Sequence, residues 1–345
     1  MAAARDAGGP TWLDGRFLQE AREWVGARLA ESGLRAERDE TTRVTPWSVV
    51  VHVHTCAGTF WFKANADGVA HEAGLLEVLA RRAPGHTLVP LAVDRDRGWM
   101  LLPDGGPTLR DVGSGADDRA GWERMLVEYA DLQRTLEPYV GELLAAGTPD
   151  RRPDRLVAVR DALLADRSLV MVGHPKGLTE AQYADLLADR PAFATMCRDL
   201  EQTGIAATVQ HDDLHDNNVF AAKAPGGSLR VFDWGDSVVG HPFGTLLVTL
   251  RVVAMRTGWA YGSRGLLRLR DAYLEPWTGD HDRATLEEAC RLALRVGCVL
   301  RADCYRRALL EATPAGREEF GDGVPGWLSE HVAPTPVEAA ESRPR

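Results

Sequence analysis

Apolar residues near the start of the chain fall at Leu13, Phe17, Leu18, Ala21, Trp24, Val25 and Leu29. That spacing predicts a helix over 13–32, stopped at Gly33. The period then changes. Residues 47–54 are dense in β-branched side chains, 55–58 have turn composition, and 59–64 are rich in aromatics. The two runs predict an antiparallel hairpin. Ala73, Leu75, Leu76, Leu79 and Ala80 restore the helical period over 69–83, up to Pro84 and Gly85. Short strands are expected at 87–93 and 98–102. The string Pro103-Asp104-Gly105-Gly106-Pro107 is a concentrated break.

Beyond residue 107 the pattern turns helical, with segments expected at 118–137, 153–165, 178–188, 191–203, 243–256, 263–275 and 283–311. A less helical stretch, 207–242, interrupts them. A small strand-rich lobe followed by a larger helical one is an α+β arrangement. The expected divisions are an N-terminal lobe over 1–102, a hinge at 103–107 and a helical lobe over 108–325. A loosely attached tail is expected over 326–345, which holds Pro334, Pro336 and Pro344 and few large apolar residues. Residues 1–10 read as a frayed end.

Composition narrows the class. The 345 residues suffice for two packed lobes. A formal charge of −10 argues against nucleic acid as a partner. No apolar run approaches the ~20 residues that span a bilayer. The first residues lack the apolar core of a signal peptide. Cys56, Cys197, Cys290, Cys298 and Cys304 are scattered and odd in number, which disfavours a disulfide framework or a zinc site and suits a reducing cytoplasm.

The chemistry concentrates in 207–242. His211-Asp212-Asp213-Leu214-His215-Asp216-Asn217-Asn218 has the skeleton His-x-Asp-x-x-x-x-Asn, and a second apolar run, Val231-Phe232, ends on Asp233. Phosphoryl transfer needs a group that orients and deprotonates the attacking hydroxyl, and hard oxygen ligands for Mg²⁺. Asp213, Asn218 and Asp233 are of those chemical types. A solvated Asp/Asn-rich turn would explain the composition but not the flanking apolar pairs. Lys63 sits between bulky strand residues, where an edge-strand lysine against aggregation is the plain alternative. Glu72 lies on the same helical side as Leu75 and Leu76, whereas Glu77 is rotated away. No Gly-x-x-x-x-Gly-Lys-Ser/Thr motif is present.

The loop and the Phe232-Asp233-Trp234 run resemble the catalytic segments of the aminoglycoside phosphotransferase family and its relatives among choline and other small-molecule kinases. Asp212 stands where that family commonly has Gly. The resemblance covers about 36–256 and implies a two-lobed protein-kinase-like fold with a small antiparallel sheet. It implies Asp213 as catalytic base, Asn218 and Asp233 as Mg²⁺ ligands, and Lys63 held by Glu72 against the phosphates of ATP or GTP. His211 and His215 would hold the loop, though an acid/base role for His215 stays open. Asp212 and Asp236 are candidate acceptor contacts, with a salt bridge as the alternative for Asp236. Between residues 36 and 54 the chain has no glycine, so Ser48 and backbone N–H groups are the candidates to meet phosphate. Trp47 either covers the nucleotide or joins the core. The Pro103 carbonyl and the Gly105 N–H are candidates for the adenine edge.

The acceptor implied is a small molecule bearing a hydroxyl: an aminoglycoside or other antibiotic, a sugar or an amino alcohol. The acids Asp271, Glu275, Asp280 and Asp282 face either a cationic acceptor or water. The alternative from another class is a catalytically inactive pseudokinase that binds nucleotide or a partner. A protein-directed kinase is disfavoured, because no Ala-Pro-Glu segment follows Asp233.

Overall fold

A computed structural model describes residues 12, 14–113, 115, 118–224 and 226–338. The expected frayed end at 1–10 lies outside the described residues. Helix α1 (Gly15–Glu31) begins where the Asp14 side chain accepts the Arg16 N–H, and it buries Ala21, Val25 and Leu29 as one stripe. Five strands follow: β1 (Ala36–Val44), β2 (Ser48–Thr55), β3 (Gly58–Asn65), β4 (Ala92–Asp94) and β5 (Trp99–Pro103). They form one sheet in the order β1-β2-β3-β5-β4, all pairs antiparallel. Trp24 of α1 packs on Phe62 and Trp99 of the sheet. Helix α2 (His71–Arg82) connects β3 to β4 and buries Glu72 along with Leu75, Leu76 and Leu79.

Two elements of this lobe depart from expectation. Strand β1 is exposed at most positions and has no apolar alternation. Its side chains give no period, and only backbone pairing with β2 makes it a strand. The strand expected at 87–93 is reduced to β4: Thr87 bridges Val231 of the large lobe instead, and Pro90 has no N–H for a ladder.

The helical lobe contains α3 (Leu109–Val112), α4 (Arg119–Leu136), α5 (Val140–Ala145), α6 (Pro153–Ala165), α7 (Glu180–Ala188) and α8 (Arg190–Gln202). It continues with α9 (Leu246–Thr257), α10 (Arg264–Leu274), α11 (Arg283–Ala308), α12 (Pro314–Phe320) and α13 (Gly323–Glu330). Short strands frame the motif region. β6 (Thr208–Gln210) pairs with β9 (Val238–Gly240), and β7 (Val219–Phe220) pairs with β8 (Arg230–Val231). β6 leads into the 211–218 loop, β7 leads out of it, and β8 delivers Asp233. Helix α11 runs through the lobe centre, and buries Arg301, Asp303 and Arg307 as well as its apolar residues.

The lobes meet closely at Gly68. A Cβ there would lie 1.9 Å from the Arg307 carbonyl oxygen of α11, so only glycine fits.

The C-terminal segment is a correction. The loose tail expected from residue 326 is packed as far as Glu338. Val324, Pro325 and Leu328 of α13 are buried. His331 is buried between the Arg295 carbonyl (3.1 Å) and Asp189 (3.2 Å), and Glu338 pairs with Arg295 at 3.0 Å. Few large apolar residues were legible there because polar contacts do much of the holding. Replacing the fully buried Leu328 with Ala is therefore expected to cost about 2–4 kcal/mol. Urea unfolding measures this; an unchanged midpoint would mean the segment is not part of the folded lobe.

Candidate active site

Lys63 projects from β3 toward two carboxylates. Its Nζ lies 2.6 Å from Glu72 Oε2 and 2.5 Å from Asp233 Oδ1. Burial works against the ammonium, but Asp233 and Glu72 outweigh it and raise the lysine pKa. Glu72 is fixed by two further bonds: Asn65 Nδ2 donates to Oε2 (2.8 Å) and the Trp234 N–H donates to Oε1 (3.0 Å); Gly235 leaves the carboxylate room, since a Cβ there would sit 3.3 Å from Oε2. Glu77 is occupied elsewhere, by Arg95. Of the two helix glutamates, Glu72 is therefore the one that meets Lys63.

Asp233 has left-handed backbone angles, φ 62° and ψ 57°. Few residues other than glycine adopt them, aspartate being one of the more tolerant. The twist turns the Trp234 N–H toward Glu72 while Asp233 itself meets Lys63. The Asp233 carboxyl would rise on burial, but Lys63 holds it below its ordinary value.

The 211–218 loop is pinned from beneath. His211 Nδ1 accepts the Asp213 N–H (3.2 Å), and its Nε2 meets the Phe232 carbonyl (3.0 Å). The pair of bonds defines a neutral imidazole with its proton on Nε2, and burial lowers its pKa accordingly. Tyr129 Oη accepts the His211 N–H at 2.8 Å, and Thr245 Oγ1 donates to the His211 carbonyl. Thr249 Oγ1 of α9 holds the Leu214 carbonyl at 2.8 Å. On top of this base, Asn218 Nδ2 donates to the Asp213 carbonyl (2.9 Å) and to its Oδ2 (3.2 Å). His215 Nε2 stands 3.6 Å from Asp213 Oδ2, and its Nδ1 accepts the Asn217 N–H. Asp216 faces away, toward Arg110 and Arg256.

Two expectations are corrected. Asp212 is not at the acceptor side; it is buried, with Oδ1 accepting from Gln210 (2.8 Å) and Arg301 Nη1 3.9 Å from Oδ2. Its position leaves the cleft and enters the packing between the loop and α11. Ser48 is buried in the β1–β2 turn, where its N–H donates to Thr45 Oγ1 and its hydroxyl lies 3.2 Å from that oxygen. Trp47 is not in the core: it is half-buried at the turn tip, where it lines the cleft with Lys63 and Asp233 and lies edge-on to Phe320 of α12 at 5.1 Å. Asp236 resolves toward the salt bridge, 2.9 Å from Arg301 Nη1. Burial would raise that carboxyl, but Arg301 holds it down at about 2.

At the lobe junction, the Asp104 N–H donates to the Thr59 carbonyl (3.2 Å). With Phe60 opposite Pro103, this leaves the proline at a position whose carbonyl points away from β3 and from which no N–H is required. Gly105 presses on Phe220, whose ring would lie 2.3 Å from any Cβ. Its carbonyl accepts from Arg230 (2.7 Å). Phe220 stacks on Phe232 at 4.1 Å.

A cavity of ≈ 160 Å³ joins these parts, lined by Lys63, Asn65, Asp213, Asp233, Asp236 and, from residues that the motifs did not flag, Arg43, Arg301, Cys304, Tyr305 and Ala308. The last four recur at i, i+3, i+4 and i+7 on α11, a face visible in the sequence only once the helix is known to border the cleft. Elsewhere, Trp277 is core, packed on Phe243 and Tyr273. Trp259, Tyr261 and Trp327 line a separate surface groove with Met255. Asp271 and Asp280 pair with arginines, and Asp282 caps α11. Among the described residues no cluster of three His, Cys, Asp or Glu forms a metal cage. No helix there is long and apolar enough to cross a membrane.

The profile of the phosphotransferase enzyme family (APH) matches residues 40–288, and the protein belongs to that family. The chain resembles the GDP and kanamycin complex of APH(2")-IIia, with TM-score 0.57, 14% identity, and coverage of 90% of this chain and 98% of that one. It also resembles a macrolide 2'-phosphotransferase type I (0.55, 15%, 91% and 97%) and an ethanolamine kinase of Plasmodium vivax (0.59, 11%, 93% and 89%). A comparison with the curated proteins finds no match. These likenesses define a two-lobed, kinase-like α+β fold.

Asp212 gives the site a pH signature. Burial raises its pKa to about 7, from 3.8. A carboxyl raised on folding favours the folded state while protonated there; that contribution is full below about pH 4 and is lost as pH rises to about 7. Asp212→Asn removes the dependence. The difference in unfolding midpoint should shift in favour of the variant between pH 4 and 7 and then level off. Parallel pH profiles of the two proteins would contradict this.

Proposed function

We propose that the protein transfers the γ-phosphate of ATP or GTP to a hydroxyl of a small molecule. The observation that carries this is the cleft itself: Lys63 bound to both Glu72 and Asp233, with Asp213 and Asn218 on the same cavity wall or bonded to it. A nucleotide would enter with its base against the Phe220–Phe232 stack and its edge at the Pro103 carbonyl and Gly105 N–H. Lys63 would move from sharing Asp233 to holding phosphate oxygens, Glu72 keeping it in place.

The donor set fits Mg²⁺. Asn218 uses its amide N–H groups on Asp213, which leaves its carbonyl oxygen; Asp233 gives one oxygen to Lys63, which leaves the other. Two protein oxygens suit an ion that keeps water and phosphate oxygens as its remaining ligands. When bound, Mg²⁺ offsets charge on the β- and γ-phosphates. Asp213, oriented by Asn218 and by the loop beneath it, accepts the acceptor's hydroxyl proton. The acceptor oxygen bonds to the γ-phosphorus as the bond from that phosphorus to the β–γ bridging oxygen breaks.

The relatives support a small acceptor: one is a complex with GDP and kanamycin, another is a macrolide phosphotransferase and a third an ethanolamine kinase. The engagement of Asp271, Asp280, Asp282 and Asp236 with groups of the protein itself gives no support to a polycation-binding role for those acids.

The test is labelled phosphate transfer from Mg-ATP and Mg-GTP to a panel of aminoglycosides, macrolides, sugars and amino alcohols. Asp213→Ala is expected to lower transfer by about 10²–10⁴-fold with nucleotide affinity little changed. Nucleotide binding by the unaltered protein with no transfer, even to components of a cell extract, would favour the pseudokinase reading instead.

A further inference from the structure

The β1–β2 turn borders the cleft where a kinase-like fold needs donors for phosphate, yet its backbone has almost none to offer. The Thr45 N–H is used by the Ser48 carbonyl (2.9 Å), Pro46 has none, and the Ser48 N–H is used by Thr45 Oγ1 (3.0 Å). Both hydroxyls are turned inward on each other. Of the four turn residues only Trp47 retains an N–H, and a single amide cannot form the nest by which glycine-rich turns cradle phosphate.

The charge sits two residues before the turn, on β1. Arg43 is exposed and lines the same cavity as Lys63, Asp213 and Asp233. Among the described residues it has no ion pair or side-chain hydrogen bond, whereas Arg301, which lines the same cavity, is paired with Asp236. A break in strand register lies between Thr41 and Arg43, and such bulges re-aim the side chain that follows. The turn beyond is held still: the Trp47 carbonyl accepts the Ala66 N–H (2.8 Å), and the Trp47 ring rests on Phe320. Arg43 also lies near enough to Asp233 to help depress its pKa.

We infer that Arg43, on the strand leading into this turn, is its phosphate-binding residue, the guanidinium taking the β- and γ-phosphate oxygens in place of backbone amides. The assignment rests on the phosphotransfer reading above. A planar fork of N–H donors matches phosphate geometry, and it supplies a full charge where amides supply partial ones. The chain can therefore do without glycine here: a side chain reaches the phosphate, so the backbone need not approach it.

Calorimetric titration of the full chain with Mg-ATP, Mg-GTP and AMP separates the possibilities. Arg43→Ala is expected to weaken both triphosphates about 10- to 100-fold, to leave AMP affinity unchanged, and to leave the thermal midpoint unchanged because the residue is exposed. Arg43→Lys should restore part of the loss, and Arg38→Ala, exposed on the same strand, should have no effect. Triphosphate affinity that survives Arg43→Ala, or an equal loss for AMP, overturns the assignment alone. An unaltered protein that binds no nucleotide overturns the phosphotransfer reading and this assignment with it.

Discussion

One ammonium group ties the site together. Lys63 is carried by a strand of the small lobe, Glu72 by the helix of that lobe, and Asp233 by the segment leaving β8 in the large one. Two neighbouring elements of the small lobe and a segment 170 residues further on converge because a buried positive charge needs carboxylates close by, and a buried carboxylate needs donors. Glu72 satisfies this by binding Lys63, Asn65 and the Trp234 N–H at once. The ring of contacts fixes the helix, the strand and the acidic segment in one relative position. The left-handed backbone at Asp233 is tolerated because both of its consequences, the Trp234 N–H on Glu72 and the carboxylate on Lys63, are used.

A second charge system lies behind the first. Asp212 and Asp236 share Arg301, and Arg307 reaches the Gly68 and Asp236 carbonyls. These arginines come from α11, which is otherwise an apolar central helix. Their role explains how an acidic residue can stand beside the loop where glycine is usual: its carboxyl is taken inward and balanced, and the loop above keeps its bonds to His211. The same arginines leave the two aspartates with different protonation behaviour. Asp236, at full contact with Arg301, stays ionised; Asp212, farther from it and more enclosed, is held toward the neutral form.

The sequence by itself determined which charged and amide groups are candidates for the cleft, and their order. Lys63, Glu72, Asp213, Asn218 and Asp233 were legible because each is tied to a local signal: an aromatic strand, a helical face, a His-x-Asp-x-x-x-x-Asn loop, and an apolar run ending in an acid. The alternation from strands to helices set the two-lobed plan. Most long helices were also readable, since burial of one face imposes a 3.6-residue period.

Tertiary structure decided what local patterns cannot carry. β1 is polar and exists as a strand through backbone pairing alone. The C-terminal segment is docked by His331 and Glu338, whose partners are Asp189, between α7 and α8, and Arg295 of α11. Asp212 and Ser48 changed role because the direction of a side chain, into the cleft or away from it, depends on neighbours distant in sequence. Arg43 and the α11 face of Arg301, Cys304, Tyr305 and Ala308 belong to the cleft only through packing. A motif records which groups are present; whether a charge is spent inside the protein or left facing a ligand is settled by what surrounds it in three dimensions.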